Sequence, residues 1–143
     1  MADLLQLAGI TLDATASSRE EAVALCGKML VELGAVSAEY ADAMWEREQV
    51  FPSEMGEGFA IPHGTDESRA FVKFDQLVFL RLGEEITWVN EPVSVCVGIA
   101  SAGDGHVEIL GNLADILMDD DAAHILRTST NPEEIRDLIM KGV

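Results

Sequence analysis

Val93-Ser94-Val95-Cys96-Val97-Gly98-Ile99-Ala100 decides the fold. Branched apolar residues at 93, 95, 97 and 99 alternate with Ser94, Cys96, Gly98 and Ala100, which is the two-residue period of a β-strand. The second face is small but uncharged, so the strand is expected to be covered on both sides, as a central strand is. Upstream, Val72, Phe74, Val78, Leu80 and Leu82 share one face of the stretch 72–82. Lys73, Asp75 and Arg81 fall on the other, which predicts a second strand. Phe59-Ala60-Ile61, halted by Pro62, and Ile10-Thr11-Leu12 predict two shorter ones.

Helical spacing flanks this block on both sides. Ser17-Ser18-Arg19-Glu20-Glu21 offers two overlapping capping boxes, and Ala22, Val23, Cys26, Met29, Leu30 and Leu33 follow at helical intervals before Gly34. A second helix opens at Ser37, turns Ala41, Met44 and Trp45 inward, and ends before Pro52. After the strands, Val107, Leu110, Leu113, Ala114 and Leu117 form one stripe. Asp121 to Arg127 predicts a short helix, and Asn131-Pro132-Glu133-Glu134 is a helix start with cap, proline and acids in order. The expected architecture is α/β: a single-domain sandwich with a mixed central β-sheet flanked by helices on both faces.

The 143 residues carry 9 Lys and Arg against 26 Asp and Glu, a formal charge of −17. Such a surface repels phosphate backbones and anionic lipid, so neither nucleic acid nor a membrane surface is an expected partner; basic proteins are. No apolar run reaches the roughly 20 residues of a membrane-spanning helix. No basic segment followed by an apolar one marks a signal peptide, and a soluble cytoplasmic domain is expected. Cys26 and Cys96 are too few and too far apart for a disulfide framework, and Cys96 reads as core.

The three histidines differ in setting. His63 stands on the turn between Pro62 and Gly64, where an apolar strand ends. It is either an exposed turn histidine or a nucleophile of near-neutral pKa on a loop. His106 follows Gly103-Asp104-Gly105 in the first turn of a helix, with Asp104 a candidate cap; backbone N–H groups there favour an anion over an imidazolium. His124, with Asp120 and Asp121 behind it, has the setting of a surface ion pair. Arg47 has Ala43, Met44, Val50 and Phe51 as helical neighbours and no acid among them. It is held either for a transient anion or for a long-range ion pair. Glu57, between two glycines, is a solvated turn carboxylate, or it orients an imidazole or docks a basic partner. Zinc spacing, a phosphate-binding nucleotide loop, a dinucleotide fingerprint and a nucleophile elbow are all missing.

The segment Gly56-Glu57-Gly58-Phe59-Ala60-Ile61-Pro62-His63-Gly64-Thr65 resembles the active-site segment of mannitol/fructose-type enzyme IIA domains of the bacterial phosphoenolpyruvate-dependent sugar phosphotransferase system. Trp45-Glu46-Arg47-Glu48 upstream, and Val97-Gly98-Ile99-Ala100 with His106 to Ala114 downstream, extend the resemblance over the whole chain. It implies one enzyme IIA phosphocarrier domain over 1–143, with no cofactor and no metal. It also implies catalytic roles: His63 as the phosphorylated nucleophile, His106 orienting or stabilising the phosphoryl group, and Arg47 offsetting its charge. Glu57 would serve orientation or docking. The implied donor is HPr and the implied acceptor a cysteine of an enzyme IIB domain of a membrane sugar permease. The connection Glu85–Pro92 and the segment Asp119–Asn131 look most like the mannitol branch. Nitrogen-regulatory members share the His63 motif, so a phosphorylation-dependent regulatory module is the alternative.

Overall fold

The stretch 93–100 forms the middle of the sheet, within strand β5 (Pro92–Ala100). The computed structural model describes residues 4–143 apart from 104, and no side chain at 105 or 106. The other elements, in chain order, are β1 (Leu5–Ala14), α1 (Arg19–Glu32), α2 (Ala38–Val50), β2 (Glu54–Gly56), β3 (Phe59–Ala60), a 3-10 turn (Glu67–Phe71), β4 (Gln76–Thr87), α3 (Gly105–Met118), α4 (Asp120–Thr128) and α5 (Pro132–Gly142). The strands lie in the order β1-β4-β5-β3-β2. β4 runs antiparallel to β5, whereas β1 is parallel to β4 and β3 parallel to β5, so the sheet is mixed.

Residue parity on the central strands divides the core into two layers. Val78, Leu80, Cys96 and Ala100 pack with Cys26, Leu30, Tyr40 and Met44 of α1 and α2. Leu77, Phe79, Val95, Val97 and Ile99 pack with residues of α3, α4 and α5. Each buried Val, Leu, Ile, Phe or Met among them contributes about 1.5–3 kcal/mol by leaving water. The helix–sheet–helix sandwich is therefore the expected one. Gly98 lets α1 lie close: a Cβ there would meet Val78 Cγ2 at 2.8 Å and Cys26 Cβ at 3.1 Å. Cys26 and Cys96 are both buried and unbridged. The hydrogen bond between them, and then burial, raises the Cys96 thiol well above its ordinary pKa, which suits a core pair and not a nucleophile.

Several boundaries differ from expectation. β4 begins at Gln76, so Val72 and Phe74 precede it, and Lys73 and Phe74 instead donate their N–H groups to Ala35 O. The alternation at 72–74 runs across a turn. Leu77 and Phe79 fill the face read as polar, so β4 too is covered on both sides. β4 also continues to Thr87, and the connection expected over Glu85–Pro92 shrinks to a turn of residues 88–91. Ser18 wins the competition to cap α1, accepting from Glu21 N–H at 3.2 Å, while Ser17 Oγ donates to the Glu21 carboxylate. Asn131 caps α5 as expected. Val107 leaves the core stripe and is 72% exposed. The cap expected at Asp104 lies outside the described residues. Among the described residues, no helix is long and apolar enough to cross a membrane.

Candidate active site

β3 is short, but its pairing with β5 continues past it. Phe59 lies opposite Val95 and Ala60 opposite Cys96, and His63 forms an isolated bridge with Ile99. Ile99 N–H donates to Pro62 O at 3.0 Å. Proline has no N–H to continue a ladder, so the strand ends there and the imidazole is delivered to the C-terminal end of β5. Tyr40 of α2 fastens the next step. Its buried hydroxyl donates to Ile99 O at 2.6 Å and accepts from Gly64 N–H at 3.0 Å. The glycine is required by close approach: a Cβ on Gly64 would lie 2.6 and 2.9 Å from Tyr40 ring carbons. The close partner that Gly64 admits is thus the protein's own tyrosine.

Arg47 reaches the same place from the last turn of α2, where a cation complements the helix dipole. Its Nε–H donates to His63 Nε2 at 2.9 Å, and its guanidinium lies over the Phe51 ring, 5.3 Å from the centroid. Neighbouring Glu48 is 2% exposed and faces the opposite way, into the protein. One of its carboxylate oxygens accepts from Ser53 N–H at 2.9 Å, Ser53 Oγ–H at 3.0 Å and Trp88 Nε1–H. Those bonds tie the end of α2 to the chain entering β2 and to the 88–91 turn, fixing the helix end that carries Arg47.

The protonation of His63 follows from its contacts with Ile61 and Arg47. Nδ1 stands 2.8 Å from Ile61 O, which can only accept, so Nδ1 carries the proton. Arg47 Nε–H can only donate, so Nε2 presents its lone pair. Burial lowers the imidazole pKa below its usual value. The Ile61 carbonyl opposes this, the positive charges of Arg47 and Arg69 add to it, and Asp66 opposes it. The result is a half-buried ring with one fixed tautomer, biased toward the neutral form, and a cation on the nitrogen that bears the lone pair. Ser101, just beyond β5, has a buried hydroxyl without a hydrogen-bond partner among the described residues.

Of the residues singled out by sequence, His63 and Arg47 are brought together. The side chain of His106 lies outside the described residues; the backbone places it in the first turn of α3, which follows β5 by a short loop. Glu57 is not brought to His63. It occupies the tip of the β2–β3 hairpin, and with Phe59 opposite Val95 and His63 opposite Ile99, the four residue steps from 59 to 63 alone span about 13 Å of extended chain. Glu57 has φ of 58°, between Gly56 and Gly58 at 88° and 89°, and its carbonyl accepts from Arg127 Nη1 at 2.9 Å. The imidazole takes its orientation from Ile61 and Arg47 instead. His124 is exposed on α4; among the described residues the ion pairs are Lys28–Glu32, Arg69–Asp66 and Arg136–Asp137, and His124 joins none of them. Tyr40, Glu48 and Phe51 are the site residues that sequence reading missed. Glu48 had a legible signal, since it stands on the same stripe as Tyr40 and Met44 at four-residue spacing, an acid among core positions.

A family model described as "Phosphoenolpyruvate-dependent sugar phosphotransferase system, EIIA 2" matches residues 3–142. The chain belongs to this family. It is a phosphotransferase component, and the family supports a phosphocarrier role in sugar uptake. The mannitol-specific phosphotransferase enzyme IIA component of Staphylococcus aureus is 36% identical over 138 residues, which is 96% of each chain. Among solved structures, the complex of Escherichia coli mannitol enzyme IIA with phosphorylated enzyme IIB superposes at a TM-score of 0.88, with 30% identity, covering 96% of this chain and 99% of that one. The nitrogen-regulatory IIA protein of Neisseria meningitidis superposes at 0.82, with 26% identity, covering 95% of this chain and 96% of that one.

Proposed function

We propose that this enzyme IIA accepts a phosphoryl group from the phosphohistidine of HPr on His63 Nε2 and passes it to a cysteine of an enzyme IIB domain, for the uptake and phosphorylation of mannitol. The observation that carries the reading is the pairing of Arg47 Nε–H with the lone pair of His63 Nε2 at 2.9 Å, while Nδ1–H is committed to Ile61 O. The lone pair forms the new N–P bond as the donor's N–P bond breaks, and the electron pair returns to the donor imidazole. Nδ1 keeps its proton, and the Ile61 carbonyl stabilises the positive charge that develops on the ring. Arg47 releases Nε2 and meets the phosphoryl oxygens, where a positioned cation is most effective. His106 and the N-terminal turn of α3 are assigned the opposite side of the phosphoryl group. A cysteine thiolate then attacks phosphorus, the N–P bond breaks, and Nε2 regains its lone pair. Glu57, at the far hairpin tip, is assigned to docking.

Two features support protein partners. Val107, Val50 and Phe51 are the most exposed large apolar side chains among the described residues, at 72, 65 and 62%. Val50 ends α2, the helix that carries Arg47, and Val107 lies in the first turn of α3, which follows β5; exposed apolar side chains at such positions suit contact with a partner. The charge of −17 suits a basic donor and implies faster transfer at low salt. Mannitol rests on the name of the Staphylococcus aureus relative, and the enzyme IIB acceptor on the Escherichia coli complex.

The test is incubation with phosphoenolpyruvate, enzyme I and HPr. Acid-labile, base-stable label is expected on the wild type and lost in His63→Ala; label retained by that variant overturns the assignment. The likeness to the Neisseria meningitidis regulatory protein favours a second reading, a phosphorylated module that passes nothing on. Transfer of label to the cysteine of a mannitol enzyme IIB decides for the carrier.

A further inference from the structure

We infer that Phe51 is a positioning residue, whose ring face holds the Arg47 guanidinium against His63. The inference rests on the reading of His63 as the phosphoryl carrier. Phe51 is 62% exposed, so core packing does not account for the place of its ring. Its backbone N–H donates to Arg47 O at 2.8 Å as the C-cap of α2, which fixes the two residues relative to each other. The guanidinium carbon then stands 5.3 Å from the ring centroid, within the range of a cation–π contact.

Among the described residues, no carboxylate forms an ion pair with Arg47. Its guanidinium is held by the imidazole on one edge and by the aromatic face, an unusual economy in so acidic a chain. The two contacts behave differently when a phosphoryl group arrives. The bond to Nε2 has to break, because that lone pair becomes the N–P bond. The contact with the ring has no single direction, so the guanidinium can slide over the face toward the phosphoryl oxygens without leaving it. Phe51 thus keeps the cation within reach before and after transfer. A hydrogen-bonding partner at the same position would have to be exchanged at each step.

A rival role for the same side chain is apolar docking of the donor protein, and two substitutions separate the two roles. Phe51→Leu keeps the apolar bulk and removes the aromatic face; Phe51→Trp keeps the face. Each variant is compared with wild type in single-turnover phosphorylation by phospho-HPr over a range of donor concentrations, and in an NMR titration of the His63 ring without any partner. For Phe51→Leu the saturating rate is expected to fall two- to five-fold, the range of an exposed cation–π contact, with the half-saturating concentration unchanged. Its His63 titration is expected to move upward, because the nearby positive charge of Arg47 is less firmly held, while Asp66 and Arg69 stay in place. Phe51→Trp is expected to match wild type in both. A Phe51→Leu variant that changes only the half-saturating concentration and leaves the titration in place overturns the inference in favour of docking, and failure of Phe51→Trp to restore both also overturns it. Should wild type take up no label on His63, the functional reading fails, while the titration still decides whether Phe51 holds Arg47.

Discussion

The hydroxyl of Tyr40 and the backbone N–H of Gly64 are joined at 3.0 Å in the interior, and the same oxygen donates to Ile99 O at 2.6 Å. One side chain from α2 therefore fixes the residue after His63 to the strand residue opposite His63. Burial raises the phenol pKa, so the hydroxyl stays protonated and can perform both bonds across the working pH range.

Tyr40→Phe removes that oxygen and strands a buried N–H and a buried carbonyl lone pair. An expected loss of about 1–3 kcal/mol follows in denaturant unfolding. Because the bonds hold the His63 turn, phosphorylation at saturating donor should slow at temperatures where the variant is still fully folded. A variant as stable and as fast as wild type would show that the hydroxyl only occupies space.

Gly64→Ala tests the same junction from the other side. The added methyl would sit within 3 Å of the Tyr40 ring and against Ser68 Oγ. Overpacking of this kind costs about 1–3 kcal/mol. Relief has to come from moving the ring or the His63 turn, so Gly64→Ala should impair transfer more than its loss of stability explains. In the Tyr40→Phe background the two defects should be less than additive, since both act through one contact.

The parts of the site that lie within one element were legible in sequence, and those set by pairing between elements were not. Arg47 stood out because none of its helical neighbours three or four residues away is acidic, and His63 because Pro62 ends a strand just before it. Glu57 stands apart from His63 although it sits only six positions before it, because closeness in an extended segment means separation along the sheet. The register of β3 against β5 decides the matter, and no local pattern fixes that register when the strand is two residues long. The bond of Trp88 to Glu48 was hidden for a similar reason. β4 runs through Glu84, Glu85 and Ile86 to Thr87, a polar stretch that reads as loop but pairs through Ile86 and Thr87 with Val93 and Pro92. Tyr40 carries only half of its signal in the sequence: it stands four residues before Met44, but the carbonyl and N–H that its hydroxyl needs come from distant segments.

The pH dependence has a definite sign. Burial, aided by the Arg47 charge, lowers the His63 pKa, so the nucleophilic neutral form persists to pH values below the ordinary 6.5 of histidine. The phosphorylation rate should therefore begin to fall at a lower pH than it would for an ordinary histidine. The unfolded chain binds the proton more readily, so the stability contribution is complete above the unfolded pKa and is lost as pH falls through the folded one. NMR titration of the ring, beside unfolding curves for wild type and His63→Gln, checks both. A midpoint at or above 6.5 would mean that the ring is not held in a buried setting facing the Arg47 cation.

Glu57 provides the sharpest separation between docking and orientation. Its left-handed backbone, with φ of 58°, costs a side-chain-bearing residue about 1–2 kcal/mol, whereas glycine adopts it freely. Glu57→Gly relieves that strain but gives the unfolded chain more freedom, which costs roughly 0.5–1 kcal/mol, so the variant should unfold at the same denaturant concentration as wild type or slightly higher. The carbonyl that accepts from Arg127 is retained, and the hairpin tip keeps its anchor. What is lost is one displayed carboxylate at the end of the sheet away from His63. A docking role then predicts an unchanged His63 titration and an unchanged saturating rate, with a raised half-saturating concentration of phospho-HPr and a weaker dependence on salt. A lower saturating rate, together with a shifted His63 titration, would instead place the Glu57 carboxylate in electrical contact with the imidazole, which the register of β3 and β5 does not provide.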